Sequence, residues 1–198
     1  MTETIETTRL TAAELVERFR NIPAANVGDA MDRLGALAHI GPVWAGARVI
    51  GTAYTVWTRA GDNIAIHDAI AAAAEGDVIV INGEGDTTRA LLGEMMGNKA
   101  QKRGIRGFVV DGMVRDAEGL KDLGFPVFAR GVTPAGPYKS GPGRLNEPIA
   151  CGNVAVSPGD IILGDDDGVV VIPLARAEEI LEKAEAVFKK EELKREAF

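Results

Sequence analysis

Two apolar runs, Asp77–Asn82 (DVIVIN) and Gly107–Asp111 (GFVVD), constrain this chain more than any other feature. A half-exposed strand alternates apolar and polar residues, whereas a strand covered on both faces is apolar throughout, as in parallel sheets. Parallel neighbours need a crossover connection, usually a helix. Thr87–Arg103, lying between the two runs, carries helical periodicity that is broken or re-entered near Gly93 and stopped by Gly104. A further helix is expected from about Asp116 to Leu123, followed by a strand at Pro126–Ala129. This order predicts an α/β fold with a βαβ core and right-handed crossovers.

The flanking sequence extends the pattern. Thr11-Ala12-Ala13-Glu14 fits a capping box, with Leu15, Val16 and Phe19 on the apolar side of a first helix. A short helix is expected over Val27–Leu34, strands over Arg48–Thr58, and an alanine-rich helix from Asp62 to Glu75-Gly76. From Gly131 the chain is rich in Gly and Pro (GVTPAGPYKSGPGRLNEP), which predicts a long excursion; Ile149–Pro173 reads as several short strands. Residues 175–198 form an amphipathic C-terminal helix with Ile180, Leu181, Ala184, Val187 and Phe188 on one side. No repeat or linker divides the chain, so residues 1–198 are expected to form one domain, with any disorder confined to the ends, residues 1–10 among them.

Composition narrows the functions. A formal net charge of −7 and a pI near 5.0 argue against general nucleic-acid binding, which needs a basic face. No apolar stretch reaches membrane-spanning length and the N-terminus lacks the pattern of a signal peptide, so a cytoplasmic protein with no membrane partner is expected. The single cysteine, Cys151, excludes an intrachain disulfide and a multi-cysteine zinc site.

The chemistry concentrates where the second apolar run ends, in Met113-Val114-Arg115-Asp116. Arg115 offers a permanently charged planar fork for a carboxylate or enolate oxygen. Asp116 is a hard oxygen ligand of the kind magnesium or manganese uses, with water filling the remaining positions. Leu92-Gly93-Glu94-Met95-Met96-Gly97 points to the same rim: a glycine before a helix lets backbone N–H groups reach an anion, and Glu94 adds a second carboxylate.

Plainer roles compete. Asp116 serves equally well as the N-cap of the following helix, Glu94 as a first-turn dipole charge, and Met95 and Met96 as core. Arg115 and Asp116, if extended, would point to opposite faces and not pair. His39 and His67 lack metal-ligand spacing, and Asp165-Asp166-Asp167-Gly168 reads as a turn rather than a calcium loop. Gly141-Pro142-Gly143 is no phosphate loop, and KKEELKRE is a solvated helix end.

The segments GEMMGNKAQKRG, GFVVDGMVRD, GFPVFARG and PGDIILGDDDGVVVIP together resemble the RraA-like family, which includes the divalent-metal 4-hydroxy-4-methyl-2-oxoglutarate/4-carboxy-4-hydroxy-2-oxoadipate aldolases. The resemblance runs from Val27 through the C-terminal helix. It implies a swivelling β/β/α fold assembled as a homotrimer or dimer of trimers, with sites at subunit interfaces. It further implies that Arg115 contacts the pyruvoyl part of a small 2-oxo acid, that Asp116 holds Mg2+ or Mn2+ directly and that Glu94 acts on it through water. Gly93, Met95 and Met96 would supply backbone amides to the substrate carboxylate. Lys139 would lie near the substrate, and Glu191, or its neighbour Glu192, would reach the site of an adjacent subunit.

The activity so implied is class II aldol cleavage between C3 and C4 of a 4-hydroxy-2-oxo di- or tricarboxylic acid. Metal and Arg115 would stabilise a pyruvate enolate, and oxaloacetate decarboxylation would proceed through the same species. The family also contains protein inhibitors of RNase E; the paired Glu94 and Asp116 favour the enzyme. A menaquinone methyltransferase reading finds no glycine-rich cofactor turn to support it.

Overall fold

The computed structural model describes residues 10–195. Helices α1 (Ala12–Phe19) and α2 (Ala24–Ala30) precede strands β1 (Gly41–Pro42) and β2 (Val49–Thr58), helix α3 (Ile64–Ala72) and strand β3 (Asp77–Asn82). Strand β4 (Ala90–Leu92), helix α4 (Glu94–Gln101), strand β5 (Gly107–Val114), helix α5 (Ala117–Asp122) and strand β6 (Val127–Val132) follow. Short strands β7 (Gly143–Leu145), β8 (Ile149–Cys151) and β9 (Val154–Val156) lead to the β10 (Ile161–Asp165) and β11 (Gly168–Ile172) hairpin, and α6 (Ala177–Arg195) closes the described chain.

The main sheet runs β1-β6-β5-β3-β2-β10-β11, with β4 on β5 and β7 on β2. β2, β3, β5 and β6 are mutually parallel, which is the expected βαβ core; β10, β11, β1 and β7 join antiparallel. The sheet curls until it is nearly closed. Alternation then sorts the side chains: Val78, Val80 and Val109 point inward to meet Phe128, Ile162 and Val171, while Ile79, Ile81, Phe108 and Val110 point outward onto α3, α4 and α5. A third apolar layer joins β2, β10 and β11 to α1, α2 and α6 through Phe19, Ile50, Leu163, Ile180 and Leu181. Because helices or loops cover both faces, the core strands carry no alternation in sequence.

The capping box at Thr11 forms as expected, with Glu14 N–H donating to Thr11 Oγ1 and Thr11 N–H to Glu14. Other elements shift. The helix expected at Val27–Leu34 spans Ala24–Ala30, ended by left-handed Asp32 and Arg33, and Arg33 N–H returns to Gly28 C=O at 2.8 Å. Ala90–Leu92, read as part of a helix, is a parallel strand on β5, anchored where Ala90 N–H meets Ala135 C=O at 2.8 Å; tertiary pairing overrides helical propensity here. β5 continues past Asp111 to Val114, because inward-facing Asp111 is paired with Arg130 and accepts Gly152 N–H at 2.8 Å. The C-terminal helix begins as a 3-10 turn at Leu174–Arg176; its expected last residues, 196–198, and residues 1–9 of the segment 1–10 expected to be disordered lie outside the described residues, whereas Leu10 N–H is held by Glu178 at 2.7 Å.

The Gly/Pro-rich excursion is held by one buried carboxylate. Asp62 Oδ1 accepts Ile64 N–H at the head of α3 (3.0 Å), and Oδ2 accepts Ser140 N–H (2.6 Å) and Gly141 N–H (3.0 Å). Burial raises the Asp62 pKa, but these three N–H bonds and the Arg59 charge outweigh it and hold the group below its ordinary value. Stability from Asp62 is therefore complete above the unfolded aspartate pKa and is lost as pH falls through the folded one. Asp62→Ala should lower unfolding free energy by about 3 kcal/mol near neutral pH by orphaning buried donors. The gap between wild type and Asp62→Asn in denaturant titrations should hold down to about pH 5 and narrow as pH falls below about 4.

Candidate active site

The C-terminal ends of β4 and β5 lie side by side, and the chain leaves each of them into a helix. Arg115 N–H donates to Leu92 C=O at 3.0 Å, and Thr133 N–H to Val114 C=O at 2.9 Å, so the β5 exit is clamped between two neighbours. Asp116 then adopts the left-handed conformation, with φ +58° and ψ +41°. That turn changes the expected geometry. Arg115 and Asp116 do not diverge as extended neighbours would; Arg115 Nε lies 3.5 Å from Asp116 Oδ2.

Asp116 occupies the N-cap position of α5 but makes no side-chain cap to it. Its Oδ2 instead accepts Glu94 N–H, at the head of α4, at 3.3 Å. Among the described residues, no hydrogen bond or ion pair engages Oδ1, and the side chain is 43% exposed. The contact requires Gly93: a Cβ there would overlap the Asp116 carboxylate and come within 2.8 Å of Arg115 Cγ. Gly93 is extended, so the requirement is one of space and not of backbone angle. A reciprocal contact lies opposite, where the Glu94 carboxylate occupies the space a Cβ on Gly119 of α5 would fill.

Among the described residues, no side chain caps α4. Met96 N–H returns to Gly93 C=O at 3.1 Å and Glu94 N–H serves Asp116, which leaves Met95 N–H without an acceptor among the described residues. The two methionines part company: Met96 is buried in the core, whereas Met95 is 80% exposed. The core role considered for Met95 therefore fails, since the first turn of α4 presents it outward.

Gly93, Met95, Met96, Arg115 and Asp116 line one cleft, whose enclosed part is about 40 Å³. Three residues that sequence reasoning did not single out join them, Asn63, Leu91 and Pro137. Asn63 is only 3% exposed; its Nδ2 donates to Leu91 C=O at 3.0 Å and lies 3.5 Å from Met96 Sδ, while its Oδ1 has no hydrogen-bond partner among the described residues. The Leu91 carbonyl fixes the amide orientation, because the flipped amide would set two acceptors face to face. A buried carbonyl without a partner, on a residue that shares this cleft with an arginine and a carboxylate, is an acceptor that a ligand's donor would satisfy. Its only signal in sequence was a polar pair, Asp62-Asn63, before an alanine-rich helix.

Other expected residues stand apart. Glu94 edges the cleft, with its carboxylate turned toward α5. Lys139 is exposed on the excursion, where its charge acts on His67 of α3; burial, then Lys139 and Lys99, lower the His67 pKa. Glu191 accepts a hydrogen bond from Asn26 at 2.9 Å and lies 3.9 Å from Arg195, on the α2–α6 face of its own chain.

No three His, Cys, Asp or Glu side chains converge as metal ligands among the described residues. The uncommitted Asp116 Oδ1 nevertheless fits a hard divalent cation that keeps most of its water, since magnesium commonly takes one or two carboxylates and dehydrates reluctantly.

The sequence profile of the RraA-like family, described as Aldolase/RraA, matches residues 24–171. The chain belongs to the RraA-like family. A protein of Halalkalibacterium halodurans that carries the provisional name 4-hydroxy-4-methyl-2-oxoglutarate aldolase is 46% identical over 172 residues, covering 86% of this chain and 82% of its own. The solved structure of Streptomyces coelicolor RraAS2, described as an unusual member of the RNase ES inhibitor RraA protein family, superposes with a TM-score of 0.83 at 29% identity, covering 93% of this chain and 98% of that one. The RNA-processing inhibitor RraA from Thermus thermophilis gives 0.69 at 29% identity, over 76% of this chain and 92% of its own. The RraA-like fold is therefore common to relatives named for catalysis and for inhibition. Among the described residues, no helix is long and apolar enough to cross a membrane.

The Gly93 contact gives a direct test of the geometry. Gly93→Ala should cost roughly 1–3 kcal/mol in a denaturant titration, the usual range for overpacking. Gly119→Ala should cost less, because the intruded group is the far end of a flexible glutamate.

Proposed function

We propose that this protein is a divalent-metal lyase that releases pyruvate from a 4-hydroxy-2-oxo di- or tricarboxylic acid and also decarboxylates oxaloacetate. The observation that supports this reading is the convergence, in one cleft, of an arginine, an uncommitted carboxylate oxygen, a free helix-start amide and an orphaned buried acceptor. The family membership and the aldolase name of the Halalkalibacterium halodurans relative agree with it. Bound at Asp116, Mg2+ or Mn2+ would supply Lewis acidity to the 2-oxo acid.

The remaining roles fall to the chain's own groups. Met95 N–H and the start of α4 receive the substrate carboxylate, as helix N-termini receive anions. Arg115 offsets the charge that spreads onto the 2-oxo group when the C3–C4 bond breaks, or when carbon dioxide leaves oxaloacetate. Asn63 Oδ1 accepts a hydrogen bond from a substrate hydroxyl and orients it. Glu94 takes up the C4 hydroxyl proton through an intervening water.

The cleft encloses about 40 Å³, little more than one water's share of the liquid. A substrate of this class needs further walls, which a second copy of the chain in a homotrimer or dimer of trimers would supply; Glu191 or Glu192 is the proposed contribution from that neighbour. RNase E inhibition is the second reading, favoured by the structural likeness to Streptomyces coelicolor RraAS2. It leaves the orphaned Asn63 carbonyl and the free Asp116 oxygen unused.

Pyruvate release from a panel of 4-hydroxy-2-oxo acids and oxaloacetate tests the proposal. Activity should disappear with chelator and return with magnesium or manganese, and full activity in metal-stripped protein would refute the metal's role. Arg115→Lys retains charge without the planar fork and should depress kcat by about 100-fold or more with a smaller change in KM. Asp116→Ala should abolish pyruvate release in a folded protein. RNase E inhibition by both wild type and Asp116→Ala, with pyruvate released by neither, would establish the second reading instead.

A further inference from the structure

We infer that the end of the sheet opposite the cleft carries a second binding site, for a small organic or inorganic polyanion. A cavity of about 310 Å³ opens there, lined by Arg20, Asn21, Arg48 and Arg106 over an apolar floor that includes Ile50 and Leu163. Arg48 immediately precedes β2 and Arg106 immediately precedes β5, so both stand at the strand starts, whereas Arg115 and Asp116 follow the end of β5. Eight residues of extended chain, the whole of β5, separate Arg106 from Arg115, a span of roughly 30 Å over nine residue steps. The two sites are separate.

Charge and packing both distinguish this cavity from an ordinary surface hollow. The chain carries a formal net charge of −7, so carboxylates are in excess, yet among the described residues no acidic side chain lines the cavity itself, and Glu17, bonded to Arg20 and within reach of the Arg106 charge, is the neighbouring carboxylate. Arg20 is engaged by Glu17 through Nε at 2.9 Å and Nη2 at 2.7 Å. Arg48 and Arg106 have neither an ion pair nor a side-chain hydrogen bond among the described residues. With Arg20 paired to Glu17, Arg48 and Arg106 are the two guanidinium groups left to repel each other unless an anion joins them, and planar forks suit carboxylate and phosphate oxygens alike.

The positions are also held. Arg106 N–H donates to Asp77 C=O at 2.8 Å, its stem lies beside the bare Cα of Gly51 on β2, and Arg20 caps the C-terminus of α1. The floor comes from paired strands, with Leu163 opposite Ile50 and Gly164 opposite Val49. The volume lies at the low end of small-molecule sites, which favours a compact ligand with two or more negative charges over a polymer. Polycarboxylates and phosphate compounds share that chemistry.

Calorimetric titration of metal-free wild type with citrate, inorganic phosphate and acetate tests the inference without reference to the proposed catalysis. Saturable binding of citrate or phosphate is expected, weakened as salt rises to about 0.15 M, with no binding of monovalent acetate. The preferred probe identifies the ligand as polycarboxylate or phosphate. Arg48→Gln/Arg106→Gln should weaken that binding by about tenfold or more, while Asp116→Ala should leave it unchanged. Absence of binding, or binding indifferent to the arginine substitutions, would overturn the site. So would loss of the native oligomer in the arginine variant with no ligand binding by wild type, which would assign these arginines to a contact between subunits.

Discussion

Two carboxylates resting on two bare glycine Cα atoms determine how the cleft is built. Asp116, leaving β5, occupies the space over Gly93; Glu94, leaving β4, occupies the space over Gly119. Each strand-to-helix junction thus keeps a gap for the other's acid, and the two close together only because neither glycine carries a Cβ. Interdigitation fixes more than distance. With Asp116 Oδ2 held by Glu94 N–H and facing Arg115 Nε, the carboxylate keeps one oxygen inward and leaves the other open. A left-handed residue at a strand end is costly for anything but glycine, asparagine or aspartate, so the sequence can set a carboxylate at this turn more cheaply than it can set most side chains.

The scaffold beneath these junctions is rigid for a related reason. Asp111 and Arg130 face each other on neighbouring parallel strands, and Gly152 N–H completes the aspartate's shell at 2.8 Å. Breaking such a pair is expensive, about 3–5 kcal/mol, because it strands a charge in a low-dielectric interior. It also ties the β8–β9 hairpin to the centre of the sheet. Cys151, beside the pair, is fully buried; burial first, and then the Asp111 charge, push its thiol far above the ordinary range. It behaves as a small core residue and not as a nucleophile.

What the sequence revealed depended on whether the signal was local. The runs DVIVIN and GFVVD declare strands buried on both faces, and the Thr11–Glu14 box is complete within four residues. Ala90–Leu92 was misleading because its strand character comes from β5 and Ala135, partners distant in sequence. The site divides similarly. Arg115, Asp116 and Gly93 stood out because a charged pair at a strand exit and a glycine at a helix start are unusual side by side. Asn63 gave no such sign: its meaning lies in one amide hydrogen bond to Leu91 and one carbonyl without a partner, both created by folding. The left-handed turn at Asp116 was equally invisible, and it alone decides that the adjacent charges meet.

The charges of the cleft bear on its chemistry in one further way. Arg115 against Asp116 and Glu94 leaves one net negative charge, and the start of α4 returns only about half a unit. A substrate with two or three carboxylates would therefore meet a site of its own sign. A divalent cation at Asp116 reverses that sign, so in the proposed function the metal is needed for attraction as well as for activation. The orphaned Asn63 carbonyl fits the same balance: an uncharged acceptor can orient a hydroxyl without adding a third negative charge to a site that must hold a polyanion.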